Sequence, residues 1–124
     1  MKLLAALSVL MLAIALASFW VWRRSPEAAP CSSHEIEGSL SPDGRAQADL
    51  FEVRCADTLT THVALRSKDA PQAARSDVFI ARGSVPVRLR WTGARELTVQ
   101  SGAEQIFVQE GRWRDVAVIQ RRAP

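Results

Sequence analysis

The stretch Val85–Gln100, VPVRLRWTGARELTVQ, alternates apolar and polar residues on either side of a Thr-Gly-Ala-Arg break. Val85, Val87, Leu89 and Trp91 fall on one face, and Pro86, Arg88 and Arg90 on the other. That period of two belongs to a half-buried strand, because successive side chains of an extended chain point to opposite faces. Beyond the break, Leu97 and Val99 repeat the pattern. Further downstream SGAE turns into QIFVQ, and EGR turns into WRDVAVIQR. Turn chemistry at three consecutive junctions predicts a meander of four strands.

The same signal continues upstream. AQADLFEVRC and TTHVALR read as two strands joined by Ala56-Asp57-Thr58, SKDAPQAARS as a loop, and DVFIAR as a strand after it. HEIEGSL is placed to pair with AQADLFEVRC across Ser41-Pro42-Asp43-Gly44. Pro-Asp at the centre of that turn, with Gly44 following, favours a type I turn with a left-handed exit. No segment here has helical periodicity. The expected fold is all-β, with six to eight short antiparallel strands over residues 34–122, as one curled sheet or a small sandwich.

The chain begins differently. Leu3 to Trp22, LLAALSVLMLAIALASFWVW, carries no charge and lies between Lys2 and Arg23-Arg24. Twenty apolar residues at ~1.5 Å rise match a hydrocarbon core of ~30 Å, and Trp20 and Trp22 sit where an interfacial aromatic belt would place them. Residues 1–24 therefore read as a single-pass anchor, with residues 3–22 in the cytoplasmic membrane. The alternative is a signal segment cleaved near Ala17, where Ala15-Leu16-Ala17 offers a small-x-small site. The apolar run continues past that site, which favours retention. Residues 25–33, opening with SPEAAP, read as a linker.

The two cysteines, Cys31 and Cys55, are expected to form a disulfide that staples a small domain. Such a bridge adds roughly 3 kcal/mol in the chain-entropy model. It also places the domain on the extracytoplasmic, periplasmic side. Charge at the helix ends does not decide orientation, since Lys2 faces Arg23 and Arg24 across the span. A competing use of the cysteines is a zinc site from Cys31, His34, Cys55 and His62, or a small hydrolase built on them. His62 lies opposite in phase to Val63 and Leu65 and so is expected on an outer face. No Gly-x-Ser-x-Gly, His-Glu-x-x-His, glycine-rich phosphate loop or Cys-x-x-Cys occurs in the chain. No cofactor is implied.

The net charge of +3 belongs to Lys2, Arg23 and Arg24, which leaves thirteen basic against thirteen acidic residues from Ser25 onward. A neutral domain lacks the surplus of Lys and Arg that counterion release requires, so nucleic acid is not an expected partner. Acids concentrate before Thr58 and bases after it, the pattern expected if the two halves face each other as cross-strand pairs. Arg88, Arg90, Arg112 and Arg114, with Arg121 and Arg122, fall on strands that a meander could gather into a face for an anionic partner.

SPDGR, an alternating strand ending in Cys55, then THVALR, VFIARG and VRLRWTGARELTV together resemble a family of small bacterial envelope proteins. Its members are membrane-anchored or secreted β-domains without an assigned activity, and the likeness spans roughly Ser41 to Ile119. It brings no catalytic or ligand residues with it. The expected function is a non-enzymatic interaction module of the bacterial envelope that contacts another envelope protein.

Overall fold

A computed structural model describes residues 1–24 and 31–124, and the chain divides into two units, Met1–Pro30 and Cys31–Pro124. The first is a single helix, α1 (Lys2–Arg24). It is long and apolar enough to cross a membrane, a test that a signal sequence near the amino terminus also passes. Its Leu, Val, Met and Ile side chains are exposed all round. The Ser8 hydroxyl donates to the Leu4 carbonyl at 2.9 Å, which removes the one bare hydroxyl of the early turns from an apolar surrounding. At its carboxyl end the Arg23 guanidinium lies 4.9 Å from the centroid of the Phe19 ring, one turn back. The expected linker over 25–33 falls for the most part outside the described residues, but Ser32 and Ser33 belong to the first strand.

The second unit holds nine strands: β1 (Ser32–Leu40), β2 (Ala46–Cys55), β3 (Thr58–Ser67), β4 (Ser76–Arg82), β5 (Val87–Gly93), β6 (Glu96–Ser101), β7 (Ile106–Gln109), β8 (Arg112–Trp113) and β9 (Val116–Arg122). The fold is all-β, as expected, and the choice between one sheet and two resolves as a sandwich. One sheet runs β1-β2-β3-β4-β7 and the other β5-β6-β9-β8. Alternation places Ala48 and Leu50, Val63 and Leu65, and Phe79 and Ala81 on the inner face of the first sheet. Leu97, Val99, Val116 and Val118 of the second meet them in one buried core. Val85, Val87, Leu89 and Trp91 pack on its margin, half-buried. The Trp91 indole N–H donates to the Ser39 carbonyl at 3.2 Å and so ties β5 of one sheet to β1 of the other.

The four-strand meander holds only for its first hairpin. After β6 the chain crosses to the first sheet, where β7 pairs with β4, and then returns as the β8–β9 hairpin. β9 lies beside β6 in parallel. WRDVAVIQR, read as one strand, is broken at Arg114-Asp115, where Arg114 adopts φ +51°. Period two reports that a segment is extended and which residues share a face, but it carries no information about the partner strand. Parallel neighbours require a long crossover between them, and residues 102–115 supply it by way of the other sheet. These changes bring the strands to nine, beyond the six to eight expected.

Two hydroxyls hold the turns. Thr61, fully buried on the inner face, donates to the Gly83 carbonyl at 2.7 Å and accepts the Val85 N–H at 3.0 Å. It thereby pins the corner where the chain leaves one sheet for the other, at Gly83 with φ +82°. Ser41 accepts the Ala46 N–H through its side chain at 3.1 Å. The Gly44 N–H donates to the Ser41 carbonyl at 2.9 Å, and Gly44 takes φ +73°, the left-handed exit expected of SPDG. The β2–β3 turn is Ala56-Asp57, two residues long, with Ala56 at φ +54°.

Cys31 and Cys55 are bonded, at a sequence separation of 24 and a Cα–Cα distance of 4.2 Å. Cys31 directly precedes the register pair Ser32–Arg54, so the bridge joins the residue before β1 to the last residue of β2 and clamps the open end of that hairpin. Replacing both cysteines by serine is expected to lower unfolding stability by about 3 kcal/mol through the freed loop, read as a lower urea midpoint with a steeper slope, since the unfolded chain without the cross-link exposes more surface. No alkylation of the native chain is expected before reductant is added.

Candidate functional site

The outer face of the second sheet is arginine-rich by construction. On β5, Val87, Leu89 and Trp91 turn inward, so Arg88 and Arg90 turn out. Arg88 is opposite Gln100 and Arg90 opposite Thr98 on β6. Across the parallel ladder, Thr98 meets Ile119 and Gln100 meets Arg121, while Arg112 on β8 is opposite Ala117. Arg88, Arg90, Arg112 and Arg121 therefore share one face with a single carboxylate, Glu96, which accepts the Thr92 hydroxyl at 2.9 Å. Among the described residues none of these four arginines has an ion-pair partner. A shallow groove of about 280 Å³ runs between Arg88, Arg90 and Arg121.

Arg114 does not belong to that face. Its turn lies at one end of the sandwich, where Asp43 and Arg45 of the SPDG turn, Arg95, Trp113 and Asp115 line a cleft of about 190 Å³. The Arg114 guanidinium stacks 4.7 Å from the Trp113 ring and donates to the Ser67 hydroxyl at 2.9 Å. Asp43 accepts from the Ser41 hydroxyl at 2.7 Å and from the Arg45 N–H at 3.2 Å. The Ser41 hydroxyl above all, then the Arg45 N–H, holds its carboxyl below the usual carboxylate range. Arg95 and Asp115 pair across the rim at 3.4 Å.

The cysteine–histidine set does not assemble. Both sulfurs are used by the disulfide. Glu35 is opposite Phe51, and Phe51 opposite His62, so His34, adjacent to Glu35 on β1, faces the other side of the sheet from His62. Among the described residues no group of three or more His, Cys, Asp and Glu is placed to hold a metal ion. His62 instead joins a relay: its Nε2 lies 2.7 Å from the Thr60 hydroxyl and its Nδ1 3.2 Å from the Asp77 carboxylate. A neutral ring protonated on Nδ1 satisfies both contacts, donating to Asp77 and accepting from Thr60. The arrangement sits on the flank of a sheet, where the His62 ring stacks on Phe51 with centroids 5.0 Å apart.

The largest polar cluster was not legible as a site. Asp49, opposite in phase to the core residues Ala48 and Leu50, is nonetheless buried, with 4% of its side chain exposed. Arg66 Nε donates to it at 2.9 Å and Gln47 Nε2 at 3.0 Å. Arg75 approaches it at 3.7 Å and reaches Glu35 at 2.8 Å, with the guanidinium 3.5 Å over the Phe51 ring. The segment after β3 folds back onto this face, and Arg66 also donates to the Ala70 carbonyl at 2.7 Å. These pairs join late bases to early acids, the pattern that the uneven charge along the chain suggested. Its chemistry is structural, since every polar side chain in it already has a partner.

Breaking a buried, hydrogen-bonded ion pair strands the remaining charges, so Asp49→Ala is expected to cost about 3 kcal/mol or more in chemical unfolding. Arg95→Ala, removing half of a pair whose side chains are 68% and 67% exposed, is expected to cost under about 1 kcal/mol. At Arg114 a glycine relieves the left-handed backbone by about 1 kcal/mol and forfeits a stack of similar size. Arg114→Gly is accordingly expected to leave the melting temperature nearly unchanged.

Compared with protein-family models, curated proteins and solved structures, the chain finds no match in any of the three.

Proposed function

We propose that this protein is a single-span interaction module of a bacterial envelope: α1 anchors it in the cytoplasmic membrane, and the disulfide-stapled sandwich works on the extracytoplasmic side by contact with another envelope protein. The observation that carries this reading is the contrast between the two outer faces. On the first sheet Arg66 and Arg75 are bound to Asp49 and Glu35, whereas on the second Arg88, Arg90 and Arg121 line one groove with Glu96 as its carboxylate, and Arg112 lies on the far edge strand of the same face. Guanidinium groups form charge-assisted, two-pronged bonds with carboxylates, so the fitting partner surface is acidic. A disulfide favours an oxidising compartment, and the unbroken apolar length of α1 favours retention over cleavage.

Two measurements test it. Intact mass of the protein extracted from membranes is expected to be full-length and to rise by two hydrogen atoms on reduction; a species beginning after Ala17 would make it a secreted domain. A photo-reactive side chain at Thr98 is expected to give one protein adduct, reduced about tenfold by Arg88→Glu with Arg90→Glu and untouched by Arg54→Glu. Equal labelling in all three forms would overturn the contact face.

A further inference from the structure

The cleft at the end of the sandwich is separate from the arginine face. It is assembled from three separate turns: Asp43 and Arg45 after β1, Arg95 between β5 and β6, and Arg114-Asp115 between β8 and β9. Its wall is the half-buried indole of Trp113. Two rim arginines keep guanidinium donors open to solvent. Arg45 has no ion pair among the described residues, and Arg114 has none either, its guanidinium lying on the indole and against the Ser67 hydroxyl. Arg114 also holds a backbone conformation, φ +51°, in which glycine is the residue of least cost.

We propose that this cleft binds a small monocarboxylate bearing a flat apolar group, with the carboxylate between the Arg45 and Arg114 guanidiniums and the apolar part against Trp113. Charge selects the class. Three arginines against Asp43 and Asp115 leave one positive charge, which a monoanion neutralises, while a dianionic phosphate meets two carboxylates on the rim. Asp43 stays ionised in that role, since the Ser41 hydroxyl and the Arg45 N–H both bond to it. Arg95 is already engaged by Asp115 at 3.4 Å and closes the far side. Size selects further: about 190 Å³ is well under the ~300 Å³ at which drug-sized pockets begin and corresponds to about six water volumes. A ring with one carboxylate fills it.

The test uses the full-length chain in nanodiscs of zwitterionic lipid, titrated with benzoate and followed by calorimetry and by the Trp113 indole N–H resonance. Benzoate is expected to bind with a Kd of about 1 mM or tighter, acetate about tenfold more weakly for want of the ring, and inorganic phosphate no better than acetate. Arg45→Gln and Arg114→Gly are each expected to weaken benzoate at least about tenfold, while the Arg88→Glu/Arg90→Glu form binds it as the parent does. Unchanged benzoate affinity in both cleft variants, no benzoate-dependent shift of the Trp113 resonance, or phosphate binding tighter than benzoate would each overturn the assignment. Because the adduct formed at Thr98 reports on the other face, the two sites can fail separately.

Discussion

The parallel pairing of β6 with β9 is the constraint on which the rest of the domain depends. Two parallel neighbours cannot be joined by a hairpin, so the chain between them has to leave the sheet and come back. It leaves through Ser101 and Ala103, both buried, adds β7 to the free edge of β4, and re-enters through a two-residue turn. That excursion links the two sheets through the chain itself as well as through the shared apolar core, and backbone bonds hold it to β4. Arg82 N–H donates to the Gln105 carbonyl and Glu110 N–H to the Val78 carbonyl, at 3.0 and 2.9 Å, and Gln120 on β9 reaches the Val78 and Glu110 carbonyls with its side-chain amide. Both candidate recognition surfaces are products of the same path. The return strand sets Arg121 across β6 from Arg88, with Arg112 on the far edge strand of the same face, and the turn that opens it sets Arg114 at the sandwich end.

The two outer faces show how one residue type takes opposite roles. On the first sheet the arginines are packed: Arg66 and Arg75, each with 14% of the side chain exposed, are satisfied by buried Asp49, by Glu35 and by backbone carbonyls, and Arg75 lies flat on Phe51. A desolvated charge has to be paired and hydrogen-bonded to be tolerated, and this cluster meets that condition fully. It seals the face and fixes the segment after β3. On the second sheet the arginines are solvated and need no partner for folding, which leaves their donors for another molecule. The difference lies in what covers each face. The β3–β4 connection returns over the first sheet, and no described segment covers the second.

Much of the fold was legible. Strand positions, the inward set Val87, Leu89, Trp91, Leu97 and Val99, the SPDG turn and the cysteine pair all follow from local rules: the pleat alternates faces, Gly44 takes a left-handed exit, and two cysteines behind an apolar segment meet in a small domain. Arg88 and Arg90 were legible for the same reason, since they alternate with core residues. Arg114 was misplaced on that face because nothing in WRDVAVIQR marks a turn. Arginine is not a turn residue, and its left-handed backbone appears only once β8 and β9 fold against each other. Asp49 and Thr61 were invisible as structural centres, because a polar residue in an alternating strand is ordinarily on the solvent side.

By itself, then, the sequence determined the local quantities: one apolar helix of membrane-spanning length, an all-β remainder, which side chains of each strand share a face, a neutral domain with its charges segregated, and a single available disulfide. Tertiary structure alone decided strand order, the division into two sheets, the burial of Asp49 and the gathering of Asp43, Arg45, Trp113 and Arg114 around one cleft. The physical reason is the range of the forces involved. Pleat alternation and turn geometry act over two to four residues and leave their mark on the chain. Strand partnership is settled by burying two sheet faces at once, through contacts between residues far apart in sequence, and many pairings of the same strands satisfy the same local pattern.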